Sequence, residues 1–194
     1  MWDIDDVLNP LMQEWLEHQK HKKKVDLEFK YTNLKNPDFS ESLNWSRKDF
    51  LDSLDEFRLN FQSTLEPNNL IQNWFREGKL KDVHHAALTA TPQKFSNISK
   101  DWLQRNFGQY INDFYLAPSA RNDDLQPRLR KYDFYKEFKG KYSNVVVIDD
   151  RPDNLESAKA AGVSTLCWPQ PWNHSLLDSR ATLKELSRTI LEWS

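Results

Sequence analysis

Apolar residues change their spacing near residue 80, and the change separates two kinds of sequence. Over 11–80 the apolar and aromatic positions recur every three or four residues, as on helices. Phe50, Leu54, Phe57 and Phe61 fall on one helical face, with Asp49 and Asp52 near its start, where carboxylates suit the positive end of the helix dipole. Ile71, Trp74 and Phe75 mark another amphipathic helix ending at Gly78. Beyond residue 80, unbroken apolar runs alternate with helical spacing. Segments 83–88, 110–116 and 163–168 read as strands. The strongest strand is Val145-Val146-Val147-Ile148, β-branched throughout, as expected where both faces are covered. Helices are expected around Ile98, Trp102 and Leu103, over 131–138, over 154–161, and in a tail burying Leu183, Leu186, Ile190 and Trp193. A loop over 117–130 carries Arg121, Arg128 and Arg130. This alternation predicts an α/β fold with a parallel sheet flanked by helices. Gly78, Gly108, Gly140 and Gly162 each follow a helical stretch, so each is expected just past a helix end.

Composition narrows the class. The 194 residues suit one domain with a small insert. Aromatics at 13% exceed what a disordered chain carries. Lys plus Arg is 27 and Asp plus Glu is 29, a net charge of −2 that argues against a nucleic-acid binder. No apolar stretch of membrane-spanning length and no secretory leader pattern is visible. With Cys167 the single cysteine, no internal disulfide forms, and a cytoplasmic location is expected. A basic run, Lys20-His21-Lys22-Lys23-Lys24, reads as a solvated loop, with attraction of a polyanion the alternative. The run 168–174, with Trp168, Pro169, Pro171 and Trp172, is a stiff aromatic loop that either packs or walls a cleft.

Chemistry concentrates where polar groups follow apolar strands, the edge at which open parallel sheets bind ligands. Asp3 and Asp5, one residue apart, share a face if the chain is extended there. Asp149 and Asp150 end the 145–148 strand, and such adjacent acids suit a hard cation such as Mg²⁺. Thr89 and Thr91 follow the 83–88 strand with hydroxyls able to donate to an anion.

These residues resemble the haloacid dehalogenase-like phosphohydrolases. Asp3-Ile4-Asp5-Asp6-Val7-Leu8 is similar to that family's first motif, Leu88-Thr89 to the second, Lys131 to the third, and Val145 to Asn154, VVVIDDRPDN, to the fourth. Thr91 competes with Thr89, and Lys136 with Lys131, for the second and third motifs; Thr89 directly follows its apolar run, and Lys131 better matches a residue opening a helix. The length, the helical insert and the DDRPDN run are most similar to 5′(3′)-deoxyribonucleotidases. The resemblance implies a Rossmann-like core from residues 1–10 and 80–194, with 11–79 a helical cap. It implies Asp3 as the nucleophile forming an aspartyl-phosphate, Asp5 as acid and then base, and Thr89 and Lys131 holding the phosphoryl group. It implies Mg²⁺ held by Asp3, the Asp5 carbonyl and Asp150, with Asp149 orienting waters. The expected substrate is a small phosphorylated metabolite, a nucleoside monophosphate foremost. The alternatives are sugar phosphates, nucleic-acid ends, or a non-catalytic binding role. An aromatic-rich cap suggests stacking on a base, though such rings more often fill a core.

Overall fold

The structure, a computed structural model, describes residues 1–78, 83–119 and 130–193. Arg121 and Arg128 lie outside these residues. In order come α1 (Leu11–His21), α2 (Arg47–Phe61), α3 (Asn69–Arg76), β1 (Ala86–Thr89), α4 (Ser96–Phe107), β2 (Asp113–Leu116), α5 (Lys131–Lys141), β3 (Val146–Asp149), α6 (Pro152–Ala160), β4 (Ser164–Cys167) and α7 (Ser179–Leu191).

Helix starts follow local chemistry. Ser46 caps α2 by accepting from the Asp49 amide at 3.0 Å, Asn68 accepts from Leu70 at 3.1 Å, and Asp178 accepts from Ala181 at 2.8 Å. Pro152 opens α6, where its missing N–H costs nothing. Two of the four glycines end helices in the left-handed region, Gly78 at φ 64° and Gly162 at φ 77°. Gly108 also lies just past its helix, directly after Phe107, but stays right-handed; Gly140 departs from expectation, sitting inside α5, which runs on to Lys141.

The strands pair in parallel, β1 with β2 and β3 with β4. Between the two pairs lies the amino-terminal segment. The Trp2 amide donates to Ala86 O and the Leu88 amide to Trp2 O, both at 2.9 Å; the Asp3 amide donates to Ile148 O and the Ile148 amide to Met1 O, again at 2.9 Å. Residues 1–3 thus close one parallel sheet in the order β2, β1, residues 1–3, β3, β4. β1 and β2 each start three residues later than the apolar runs suggested, so His84 and His85 precede the ladder.

Alternate side chains serve opposite faces. Trp2, Ala87, Val146 and Ile148 pack with Ile71 and Phe75 of α3, Trp102 and Phe107 of α4, and Leu183, Leu186 and Ile190 of α7. Met1, Leu88 and Val147 pack with Tyr135 and Phe138 of α5 and Leu155 and Ala158 of α6. The fold is therefore α/β, a parallel sheet between two helical layers. A third cluster joins α1 and α2 through Leu11, Trp15, Leu16, Phe39, Phe50, Leu54 and Phe57, and it takes in Trp172 from beyond β4. Phe61, placed by its spacing on the buried face of α2, is instead partly exposed at the last residue of the helix, its ring against Phe57 and His18 of α1 at the edge of the cluster. No described helix is long and apolar enough to cross a membrane.

Candidate active site

All five extended lines run the same way, so Asp3, Thr89 and Asp149 emerge on one edge of the sheet. Asp3, Asp149 and Asp150, all buried, each place a carboxylate oxygen within 4.8 Å of the others. Lys131 opens α5 and reaches in, with Nζ donating to Asp3 Oδ1 and to Asp149 Oδ2, both at 2.7 Å. Lys136 is exposed and lies over the Tyr132 ring, so Lys131 is the lysine that meets the carboxylates.

The three carboxylates are not equivalently served. Asp149 accepts from Lys131, from the Arg151 amide at 2.9 Å, and from Asn154 Nδ2 at 3.0 Å on each oxygen. Its lone pairs are largely occupied. Asp150 accepts from Trp172 Nε1 at 2.9 Å on Oδ2. Burial pushes the Asp3 carboxyl up to about 7, with Lys131 opposing and the Asp149 and Asp5 charges reinforcing the rise. Burial, then the charges of Asp149, Asp6 and Asp3, hold the Asp150 carboxyl well above the usual carboxylate range. Burial alone would lower Lys131, but the charges of Asp149 and Asp3 outweigh it and keep the ammonium protonated.

Fully ionised, three buried carboxylates would face one ammonium, an excess of negative charge among hard oxygen donors that only protons or a cation can answer. That donor set fits a Mg²⁺-sized cation, and Asp3 and Asp150 each accept on one oxygen only, leaving the other to coordinate. Asp3 and Asp150 would hold such an ion, with Asp149 beside them.

The charge surplus carries a pH signature. A buried carboxyl raised to about 7 binds a proton in the folded chain at pH values where the unfolded chain, near 3.8, has lost it. Folding then gains stability as pH falls through 7 toward 4 and loses it as pH rises. Metal-free protein is expected to unfold at a higher urea midpoint at pH 5.5 than at pH 8. Mg²⁺, by favouring the ionised carboxylates, should shrink or reverse that difference. A metal-free midpoint that rises with pH would contradict this burial.

Asp5 stands apart from the three-carboxylate group. Its Oδ2 accepts from Arg58 NH2 at 2.9 Å, and Arg58 NH1 reaches Thr91 Oγ1 at 3.0 Å and Gln62 Oε1 at 3.3 Å. Arg58 is buried, so α2 delivers a cation to the flank of the site. The sequence reading missed this residue. The signal was there: Arg58 falls four residues after Leu54, a charge on an otherwise apolar stripe. Thr89 and Thr91 are both buried; the Thr91 amide donates to Thr89 Oγ1 at 3.3 Å, while the Thr91 hydroxyl is engaged by Arg58. Asp6 takes a left-handed backbone at φ 64° and caps α1, accepting from the Met12 amide at 2.8 Å. Trp172 was expected either to pack or to wall a cleft; it packs in the α1–α2 cluster and also donates to Asp150.

Solved structures of haloacid dehalogenase-like hydrolases share this fold over nearly the whole chain. A candidate β-phosphoglucomutase from Thermotoga maritima is 19% identical, with 99% of this chain and 97% of that one covered at a TM-score of 0.55. A haloacid dehalogenase-like hydrolase from Streptococcus pneumoniae gives 10% identity, coverage of 99% and 95%, and a TM-score of 0.59. A candidate phosphoglycolate phosphatase from Lactobacillus delbrueckii subsp. bulgaricus gives 12%, 97% and 96%, and 0.60. No family model matches the sequence. No curated protein matches it either.

Proposed function

We propose that this protein is a Mg²⁺-dependent phosphomonoesterase of the haloacid dehalogenase type, with α1 and α2 of the 11–79 insert as its cap and α3 packed on the sheet. The observation that carries the reading is the meeting of Asp3, Asp149 and Asp150 around Lys131 at one sheet edge. Asp3 attacks phosphorus; its oxygen–phosphorus bond forms as the ester bond breaks, giving an aspartyl-phosphate. Asp5 gives a proton to the leaving oxygen and then takes one from the water that hydrolyses the acyl phosphate. Lys131 offsets charge on the phosphoryl oxygens and bridges Asp3 and Asp149, offsetting their repulsion, with Thr89 donating beside it. Bound Mg²⁺ supplies Lewis acidity and screens the approach of one anion to another.

The substrate is a small phosphorylated metabolite. A nucleoside monophosphate is the sequence-based first choice, and it needs an aromatic surface for the base. The burial pattern favours a second choice. Trp15, Phe39, Phe50 and Phe57 fill the α1–α2 core, and Trp74 and Phe75 pack against Trp2. The rings a base would stack on are thus largely engaged, which favours phosphorylated sugars or hydroxy acids, in keeping with what two of the structural relatives are described as handling. A nucleic-acid end is disfavoured, because Lys20 and Lys22 are paired with Glu17 and Glu56 at 2.9 and 2.8 Å.

Phosphate release from p-nitrophenyl phosphate tests the chemistry, and a panel of nucleotides, sugar phosphates and phosphorylated hydroxy acids ranks the substrates. Turnover should need Mg²⁺, fall to background with EDTA and return on Mg²⁺ addition. Chelator-resistant turnover overturns the mechanism; no turnover on any substrate favours a binding role.

A further inference from the structure

Trp172 belongs to two structures at once. Its ring lies 5.7 Å from Phe39 and 5.9 Å from Tyr31, between centroids, within the aromatic cluster of the α1–α2 insert. Its Nε1 donates to Asp150 Oδ2 at 2.9 Å across the core. The loop that carries it is tied down from both sides. Asn173 Nδ2 donates to Asp150 O at 2.7 Å and to Trp168 O at 2.8 Å, and Tyr31 OH donates to Gln170 Oε1 at 3.0 Å.

We propose that Trp172 is the positioning residue of the metal ligand Asp150, and that through this indole the helical insert sets the affinity of the site for Mg²⁺. This rests on the proposed function only in taking Asp150 as a ligand. Indole offers one donor and no acceptor. It therefore fixes one carboxylate oxygen, leaves the other open, and cannot itself compete for a cation. Asp149 is held by its own strand-end neighbours, Lys131, Arg151 and Asn154, whatever the insert does. Asp150 takes its donor from a ring seated among insert side chains. When α1 and α2 are packed, the ring is fixed and Asp150 is aimed; when the insert loosens, the ring has no seat. By reciprocity, Mg²⁺ on Asp150 must tighten the insert by the same free energy with which the insert tightens Mg²⁺.

The test uses Trp172→Phe, which keeps a ring and removes the donor. Calorimetric titration with Mg²⁺ alone should show Kd weakened about tenfold or more, in the range found when a group supporting a metal ligand is removed. Hydrogen exchange provides the second readout. In the wild type, Mg²⁺ should slow exchange at amides of 31–39 and 50–57; in the variant, basal protection there should persist but no longer respond to Mg²⁺. A purely structural Trp172 would lower basal protection and leave the Mg²⁺ Kd unchanged, which overturns the proposal. Should the variant not fold, the wild-type exchange decides, since insert amides indifferent to Mg²⁺ overturn it equally. Wild type that binds Mg²⁺ beside an unaltered variant removes this inference alone. Wild type that binds no Mg²⁺ removes the proposed function with it.

Discussion

Asp3→Asn abolishes phosphate release while raising the stability of the metal-free protein. The loss should be at least ~10⁴-fold in kcat, as when a covalent nucleophile is removed. Asn cannot form the acyl phosphate, yet it fills the same volume and still accepts from Lys131. The gain in stability follows from charge. Asp3 is a buried carboxyl, raised to about 7 by burial, with Asp149 and Asp5 as like charges nearby. At pH 8 the ionised form opposes folding, and a neutral amide removes that cost. Phosphate release and urea denaturation at pH 8 without Mg²⁺ check the two halves. Activity surviving in the variant would place the nucleophile elsewhere; an unchanged or lower urea midpoint would mean that Asp3 is not strained by its neighbours.

Lys131→Met should harm both properties together. Lys131 is the ammonium that contacts two of the three clustered carboxylates, at 2.7 Å each. Its removal leaves buried anions unpaired, which costs about 3–5 kcal/mol of stability. Catalysis loses a fixed cation beside the phosphoryl group, a loss of about 10²–10³-fold in kcat. Mg²⁺ should recover part of the stability, because a cation then answers the surplus charge, but little of the rate. Denaturation with and without Mg²⁺, beside kcat under saturating substrate, separates these effects. A variant as stable as the wild type at pH 8, where Asp3 is ionised, would mean that Lys131 offsets no buried charge.

The opposite signs of the two stability effects are informative in themselves. Both substitutions act on one ion-paired contact, Asp3 with Lys131. Removing the anion relieves a cluster with too much negative charge, and removing the cation worsens it. The metal-free pH dependence belongs to the same imbalance.

Much of this arrangement was legible in the sequence because it is local. The run 145–148 is four β-branched residues long; β3 lies one residue further on, Val146–Asp149, and its acids stand at and just past the strand end by chain continuity. Gly78 and Gly162 end helices because nothing else sits so readily at their positive φ. Gly140 misled for the complementary reason: α5 simply continues through it, and an added Cβ would meet nothing within 4 Å. Residues 1–3 are too few for any period, so their place between β1 and β3 rests on hydrogen bonds to residues over 80 positions away. Arg58, and the bond from Trp172 to Asp150, escaped for the same reason. Arg58 reaches Asp5 across 53 positions, and Trp172 reaches Asp150 across 22. Spacing reports which face of an element is buried; it carries no information on which distant partner a polar atom in that face will find.

The join between the two strand pairs has a consequence for how the molecule fails. Among the described residues, the ladder from β1 to β3 passes through residues 1–3 alone, Trp2 bonding to β1 and Met1 and Asp3 to β3, and Asp3 bears the proposed nucleophile. Detaching that short zipper splits the sheet into halves and in the same motion carries Asp3 away from Lys131 and Asp150. Heat inactivation and melting should therefore trace one curve, with no folded yet dormant species between them.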